Sequence, residues 1–335
     1  RDSYKESVNY LTGYKYLCNE QLASKLIGLL AYQQYMQSKG EKVKVDKAIR
    51  PIIHRLTNHQ NKHQLWSWWG NSENTSFWMS AHILRALKMA QDAGYPVELN
   101  LNGLKVEYAH TRPYRGMKLE DIEILHALHE WKVEADYSSA IRLLEPFVRQ
   151  LEQKEDSLAN RNKYYRPLSY LKEKLLLWEI KQQVDSVNVG DSVRPYLKKD
   201  MLEGVYCDDG RRTYYWEGNQ MINTLIAYRI IKNDPSLCKL KENMQLYILR
   251  TKERGWNTYQ ASSAVATVLT DLLAGSGGMS GTSVSVSGKD HQRIMEFPYH
   301  ARLTAGDSLL ISKTGKEPLL YSCLLYTSPS PRDCS

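Results

Sequence analysis

Three times along this chain a glycine and a cluster of aromatic residues share a short extended piece. A polar residue follows, and then an apolar segment begins. The first instance is Trp66-Ser67-Trp68-Trp69-Gly70, followed by Thr75-Ser76-Phe77-Trp78-Met79-Ser80-Ala81. The second joins Gly204-Val205-Tyr206 to Trp216-Glu217-Gly218-Asn219, and the third is Gly255-Trp256-Asn257-Thr258-Tyr259-Gln260-Ala261. Glycine permits the turn, and an aromatic ring plugs the end of a helix pair. Helical hairpins of this kind must stack to bury their apolar faces, as an open solenoid or a closed ring. Aromatic and glycine loops ahead of inner helices favour the ring, an α/α toroid.

Apolar residues recurring at three and four predict helices over 22–37, 76–93, 119–133, 137–153, 165–181, 219–232, 238–252 and 258–273. Gly94-Tyr95-Pro96 and Asn233-Asp234-Pro235 stop two of them. Beyond Leu273 the character changes. Gly275-Ser276-Gly277-Gly278 is a joint, Ser283-Val284-Ser285-Val286-Ser287 alternates, and Gly288-Lys289-Asp290 turns; 308–312 and 319–321 read as further short strands. The expected class is mainly α: a toroid over 1–274, then the beginning of a β-rich domain over 275–322. Residues 323–335 are Pro/Ser-rich without period. They look like the translation of a sequencing adapter and are set aside from the fold. With no initiator Met and no signal peptide at its start, the chain reads as an internal fragment of a longer protein.

Composition narrows the function classes. Apolar residues make up 42% and charged residues 24% of 335, which argues against wholesale disorder. No window approaches the ~18 uninterrupted apolar residues of a membrane span, so no direct membrane insertion is expected. The formal net charge of +8 is spread among acids, as in Glu152, Lys154, Glu155, Asp156, Arg161, Lys163 and Arg166. That is a solvated surface rather than a nucleic-acid stripe. Cys18, Cys207 and Cys238 have the spacing of neither a disulfide framework nor a metal site. His54, His59 and His63 are spaced by five and four, but Asn58, Asn61 and Gln64 around them read as a polar loop; Asp208-Asp209 before Gly210 reads as a turn. No metal and no cofactor is expected.

The chemistry points to Gly13-Tyr14-Lys15-Tyr16-Leu17-Cys18-Asn19-Glu20-Gln21-Leu22. Cys18 and Gln21 are three apart at the start of a helix, which puts them on one face within reach of each other. The positive end of the helix dipole favours thiolate there. A thiol beside a Gln carboxamide can form an internal thioester with loss of ammonia. Thiolate leaves far more readily than an amine, so such a bond is an acylating agent. The plainer alternative is a helix-start Cys that only packs.

The whole stretch resembles the thioester region of the alpha-2-macroglobulin family, which includes the complement thioester proteins. In that pattern an aromatic-rich approach precedes Cys-x-Glu-Gln and a long helix. Cys18, Glu20 and Gln21 match, Asn19 fills the variable position, and Lys15 and Leu17 replace the usual Pro and Gly. Trp68-Trp69-Gly70 with the segment from Ser76 to Ala81 resembles the family's Gly/Trp loop and Trp-x-Thr-Ala helix. Tyr214-Tyr215-Trp216-Glu217 and the segment from Trp256 to Ala261 resemble its later helix starts. The resemblance covers about 8–274, in order, and the Asn-, Lys- and Tyr-rich composition is compatible with a bacterial member.

The resemblance implies a toroid followed by a β domain, and an extracytoplasmic protein (periplasm, cell envelope or extracellular). It implies a protease inhibitor that covalently traps attacking proteases through Cys18 and Gln21 by single-use acyl transfer, which is not enzyme turnover. Tyr14, Tyr16 and the aromatic loop 66–69 are candidates for shielding the bond. Some members use a downstream His to take the acyl group; spacing from Trp78 puts His126 nearest, with His129 one helical turn on. The alternative is that both are ordinary helix histidines. Two competing readings of the chain are a toroid enzyme of the terpene cyclase, prenyltransferase or lyase type, and a scaffold that has lost its thioester. The first lacks an Asp-rich acid motif or zinc set in the sequence, and the intact Cys18/Gln21 pair speaks against the second.

Overall fold

The structure, a computed structural model, describes residues 2–13, 17–38, 40–213, 219–271, 283–287, 291–294, 302–304 and 307–314. It divides into two units, Arg1–Gly275 and Ser276–Ser335. The chain is mainly helical, and no helix among the described residues is long and apolar enough to cross a membrane.

In the first unit the principal helices are α1 (Asp2–Thr12), α2 (Asn19–Ser38), α3 (Asp46–Asn58), α4 (Phe77–Asp92) and α5 (Asp121–Glu130). They continue with α6 (Tyr137–Arg161), α7 (Leu171–Val184), α8 (Gln220–Ile231), α9 (Lys241–Thr251) and α10 (Thr258–Ala264), which runs on as a π-helical turn over Val265–Leu269. Three helix starts carry side-chain caps, whereas Ser76 ahead of α4 makes no cap bond. Asp136 accepts from Ser139 N, Asn219 from Ile222 N, and Asn257 and Gln260 close a reciprocal capping box. Gly94, at φ +91°, turns the chain out of α4.

Six helices pack in a closed circuit: α2 on α4, α4 on α5, α5 on α7, α7 on α8, α8 on α10, and α10 back on α2. Helices α1, α3, α6 and α9 pack outside it, on α2, α2, α7 and α8 respectively. The division follows from the sequence. In α8 every residue but Gln220 and Arg229 is buried, whereas α3 buries the single stripe Ile49, Ile52, Ile53 and Leu56. A helix apolar on all sides must be enclosed, and one with a single stripe lies on a surface. The apolar core falls into two clusters, one around α1–α4 and α10 and one around α5–α9, with Trp78 and Trp256 packed against both.

Sequence period placed the starts of α4, α6, α8 and α10 closely. It ran α6 too short, because the helix continues through Pro146 to Arg161. It also missed α1, α3 and the helical stretch over 102–115. In α3 the apolar stripe is interrupted by Pro51 and flanked by charges. A hairpin of β1 (Leu197–Lys199) and β2 (Val205–Cys207) sits against α8 and α9, with Tyr206 stacked 5.1 Å from Tyr247.

Helix α1 closes on α2 at Gly28. A Cβ there would lie 2.8 Å from Leu11 Cβ, a clash with the base of a side chain rather than its flexible end. Gly28→Ala is expected to lower stability by about 1–3 kcal/mol despite alanine's better helix propensity. A urea unfolding midpoint measures it.

In the second unit β3 (Ser283–Ser287) lies between β4 (His291–Ile294) and β5 (Leu310–Thr314), antiparallel to both. Val284 and Val286 face inward against Leu309, as the alternation predicts. Strand β5 begins two residues later than expected, and β4 was not anticipated. The turn at 288–290, the strand read at 319–321, and 323–335 lie outside the described residues.

Candidate thioester site

Cys18 is the N-cap of α2, its carbonyl accepting from Leu22 N at 2.9 Å. Gln21 stands three positions on, and its carboxamide folds back so that Oε1 accepts the Cys18 backbone N–H at 3.2 Å. In purely structural terms this is half a capping box. It has a second consequence. If Cys18 sulfur attacks the Gln21 amide carbon, Oε1 is the oxygen on which negative charge develops. A backbone N–H already aimed at that oxygen is an oxyanion donor.

Cys18 is 5% exposed, and burial, seconded by the charge of Glu20, pushes its thiol above the ordinary value. This corrects the expectation that the helix dipole favours thiolate. Hydrogen bonding at the helix start does pull the other way, but desolvation outweighs it.

Asn19, read only as a variable position, anchors the site. Its Nδ2 donates to the carbonyls of Ser67 (2.8 Å) and Gly70 (3.0 Å), and its backbone N–H donates to Trp68 O (3.0 Å). Its Oδ1 lies 2.6 Å from His59 Nδ1, which therefore carries the proton. The aromatic loop is thus tied to the start of α2. Trp66 is fully buried and donates to Leu56 O at 2.7 Å. Trp68 packs edge-on against Trp78, and Trp69 stands 65% exposed. Tyr14, Tyr16, Trp216 and Glu217 lie outside the described residues.

Two residues on from Cys18, Glu20 heads a buried polar cluster. Glu20 accepts from Ser24 Oγ (2.6 Å) and Thr258 Oγ1 (2.7 Å). Ser24 Oγ also lies 3.0 Å from His82 Nε2 and 3.1 Å from Ser262 Oγ. Tyr259 stands between Trp78 and His82, edge-on to each. Burial raises the Glu20 carboxyl and lowers His82 to about 3. Sequence reading missed His82, Ser24 and Ser262. The available signal was a histidine inside the apolar run of α4, four residues from Trp78.

His126 occupies a different place. It is 1% exposed on α5, with Nε2 2.7 Å from Glu179 Oε2 and Nδ1 3.4 Å from Glu130 and 3.1 Å from Arg85 Nη2. Arg85, Glu123, Glu130, Lys172, Glu179 and Arg229 complete a charged network with it. None of these partners is Cys18 or Gln21, so the structure brings Cys18 and Gln21 together and places His126 in an ion-pair cluster. His129 packs edge-on against Tyr137. Of the other histidines, His54 pairs with Asn58 on α3, not on a loop, and His59 pairs with Asn19. Among the described residues no group of three or more His, Cys, Asp or Glu is arranged to hold a metal.

The fold, a mainly helical unit followed by a small antiparallel sheet, is that of the C-terminal part of bacterial macroglobulins. No family model matches the chain, and no curated protein does. Solved structures do. The native conformation of Escherichia coli alpha-2-macroglobulin matches with TM-score 0.56 and 15% identity, over 93% of this chain and 18% of that one. Salmonella alpha-2-macroglobulin reacted with methylamine matches with TM-score 0.57 and 14% identity, over 93% and 19%. E. coli alpha-2-macroglobulin activated by porcine elastase matches with TM-score 0.51 and 15% identity, over 92% and 26%. The likeness is one of fold, and the chain spans about a fifth of the length of the first two proteins.

Proposed function

We propose that this chain is the thioester-bearing region of an alpha-2-macroglobulin-type protease inhibitor, its helical circuit being the family's α/α toroid. The observation that carries the reading is the Gln21 carboxamide folded onto Cys18 at the start of α2. The fold it shares with the methylamine-reacted and elastase-activated proteins supports it. The thioester forms when Cys18 sulfur attacks the Gln21 amide carbon. The C–N bond breaks, and ammonia leaves with the thiol proton. A protease cuts a bait segment elsewhere in the parent, the bond is uncovered, and a protease lysine amine attacks the acyl carbon. The C–S bond breaks, the amine proton ends on Cys18 sulfur, and the protease is held by an amide. The transfer happens once per molecule, so the protein is an inhibitor and not an enzyme. The reading places the parent outside the cytoplasm, where foreign proteases are met.

The test is the mass of the peptide spanning 14–25 in freshly prepared native parent. Thioester formation removes one ammonia, about 17 Da. A free Cys18 thiol beside an unmodified Gln21 amide in that preparation would reject the reading.

A further inference from the structure

The peptide plane between Cys18 and Asn19 is held at both ends. Its carbonyl, Cys18 O, accepts from Leu22 N at 2.9 Å, and its N–H, on Asn19, donates to Trp68 O at 3.0 Å. The N–H before it, on Cys18, meets Gln21 Oε1 at 3.2 Å. The first N–H groups of a helix have no partner within the helix. Here the side chain of the candidate reacting pair takes one of them, and the aromatic loop takes the next. A rigid plane fixed at both ends sets the backbone torsion of Cys18, and so the direction in which its side chain leaves the chain relative to Gln21. Asn19 holds the loop a second time through its side chain. Nδ2 carries two hydrogens and faces two carbonyls, Ser67 O at 2.8 Å and Gly70 O at 3.0 Å; the reversed amide would set oxygen against oxygen twice. Oδ1 is left for His59 Nδ1 at 2.6 Å. Three donated bonds thus run from one residue, 1% exposed, to the carbonyls of 67, 68 and 70. The loop itself is braced. Ser67 Oγ donates to Trp69 O at 2.9 Å, Ser76 N donates to Trp66 O at 2.9 Å, and Trp66 N donates to Ser80 Oγ on α4 at 2.8 Å.

We propose that Asn19 is a positioning residue for the Cys18–Gln21 reaction, locking the aromatic loop 66–70 to the start of α2 so that sulfur and carboxamide carbon meet in one geometry. This rests on the proposed function. In the step it serves, the Sγ–Cδ bond forms, the Cδ–Nε2 bond breaks, and ammonia leaves with the thiol proton. Asn19 exchanges no proton and no electrons in that step. It acts by restricting the backbone that carries the nucleophile, and an intramolecular attack is sensitive to such restriction, a misplacement of about 1 Å costing roughly 10²-fold in rate. An amide is the side chain the place requires. Aspartate has the same size but would turn an acceptor toward the two carbonyls that Nδ2 now serves. The lock also works in the other direction. Displacing the loop breaks all three bonds to Asn19 together and frees the Cys18 backbone, so the loop and the reactive pair open as one.

The experiment uses the full-length parent and its Asn19→Asp, His59→Ala, His59→Asn and Gly28→Ala variants, each checked for native circular dichroism. One readout is the ratio of ammonia-deficient to intact peptide 14–25 in freshly prepared protein. The other is hydrogen–deuterium exchange over 17–22 and 66–70. Asn19→Asp is expected to lower the ratio about tenfold and to lower amide protection in both segments together. His59→Ala keeps the three loop bonds and should give a smaller loss. His59→Asn, whose amide N–H stands in for Nδ1–H, should restore the wild-type ratio. Gly28→Ala loosens α2 against α1 at a cost in stability and should leave both readouts at the wild-type level. A merely structural role for Asn19 would instead make Gly28→Ala and Asn19→Asp fall alike. A wild-type ratio in Asn19→Asp overturns the positioning role, and so does unchanged protection over 66–70. Absence of the deficit in wild type rejects the thioester itself, and the exchange data then still decide whether Asn19 locks the loop to α2.

Discussion

On the proposed function, Cys18→Ala in the full-length parent is expected to abolish a denaturant-resistant adduct with a broad-specificity protease, while cleavage of the parent by that protease is expected to persist. The argument is one of leaving groups. Without the sulfur, Gln21 remains an ordinary amide, whose nitrogen departs far less readily than a thiolate of pKa about 8.5. A lysine amine that reaches the acyl carbon then finds nothing to displace. Alanine is tolerated as an N-cap at a cost of about 1 kcal/mol, and the backbone N–H that meets Gln21 Oε1 is unchanged, so the fold should survive. A denaturing gel after mixing with protease reads the result. Adduct at wild-type yield would assign trapping to another residue.

The same pair shows what was legible in advance. Cys18 and Gln21 are local neighbours, three apart on a helix, and local spacing translates directly into contact. The partners that fix them are not local. Asn19 meets Ser67, Gly70 and His59, 40 to 51 residues away, and Ser24 meets His82 and Ser262, 58 and 238 residues away. Nothing in the letters Asn19 or Ser24 announces those bonds, because they depend on which helices pack together.

Thiol acidity failed for the same reason. The helix dipole is visible in sequence, whereas the desolvation that outweighs it belongs to the tertiary fold. His126 was selected by its distance along the chain from Trp78, and that distance does not encode which helix face it occupies. Inner helices were easier to read than outer ones. A nearly continuous apolar run such as 221–231 has few alternatives, but the stripe of α3 is thin and cut by Pro51.

Glu179→Gln should cost about 3–5 kcal/mol of unfolding free energy, the scale for breaking a buried ion pair by removing one partner. Glu179 receives Arg229 through two hydrogen bonds, 2.7 and 2.9 Å, and His126 Nε2 at 2.7 Å. Its side chain is 8% exposed, so neutralising it leaves two cations facing each other with little water to screen them. The pH dependence follows from the same contacts. Burial alone would raise the Glu179 and Glu130 carboxyls, but the surrounding cations win. They hold Glu179 well below the usual carboxylate range and Glu130 at about 2. Stability from these carboxylates is present above their unfolded pKa of about 4.3 and is lost as pH falls through the folded values. His126 has the opposite sign. Burial lowers it, Glu130 and Glu179 more than compensate, and its pKa is raised. Its contribution is complete below the unfolded value of about 6.5 and is lost as pH rises through the folded one. Urea midpoints of the wild-type chain should therefore fall on both sides of a plateau between about pH 4.3 and 6.5. In Glu179→Gln the plateau should be lower and the acid limb shallower, because one of the depressed carboxyls no longer takes up a proton. An acid limb of unchanged steepness in that variant would show that other carboxylates carry the dependence.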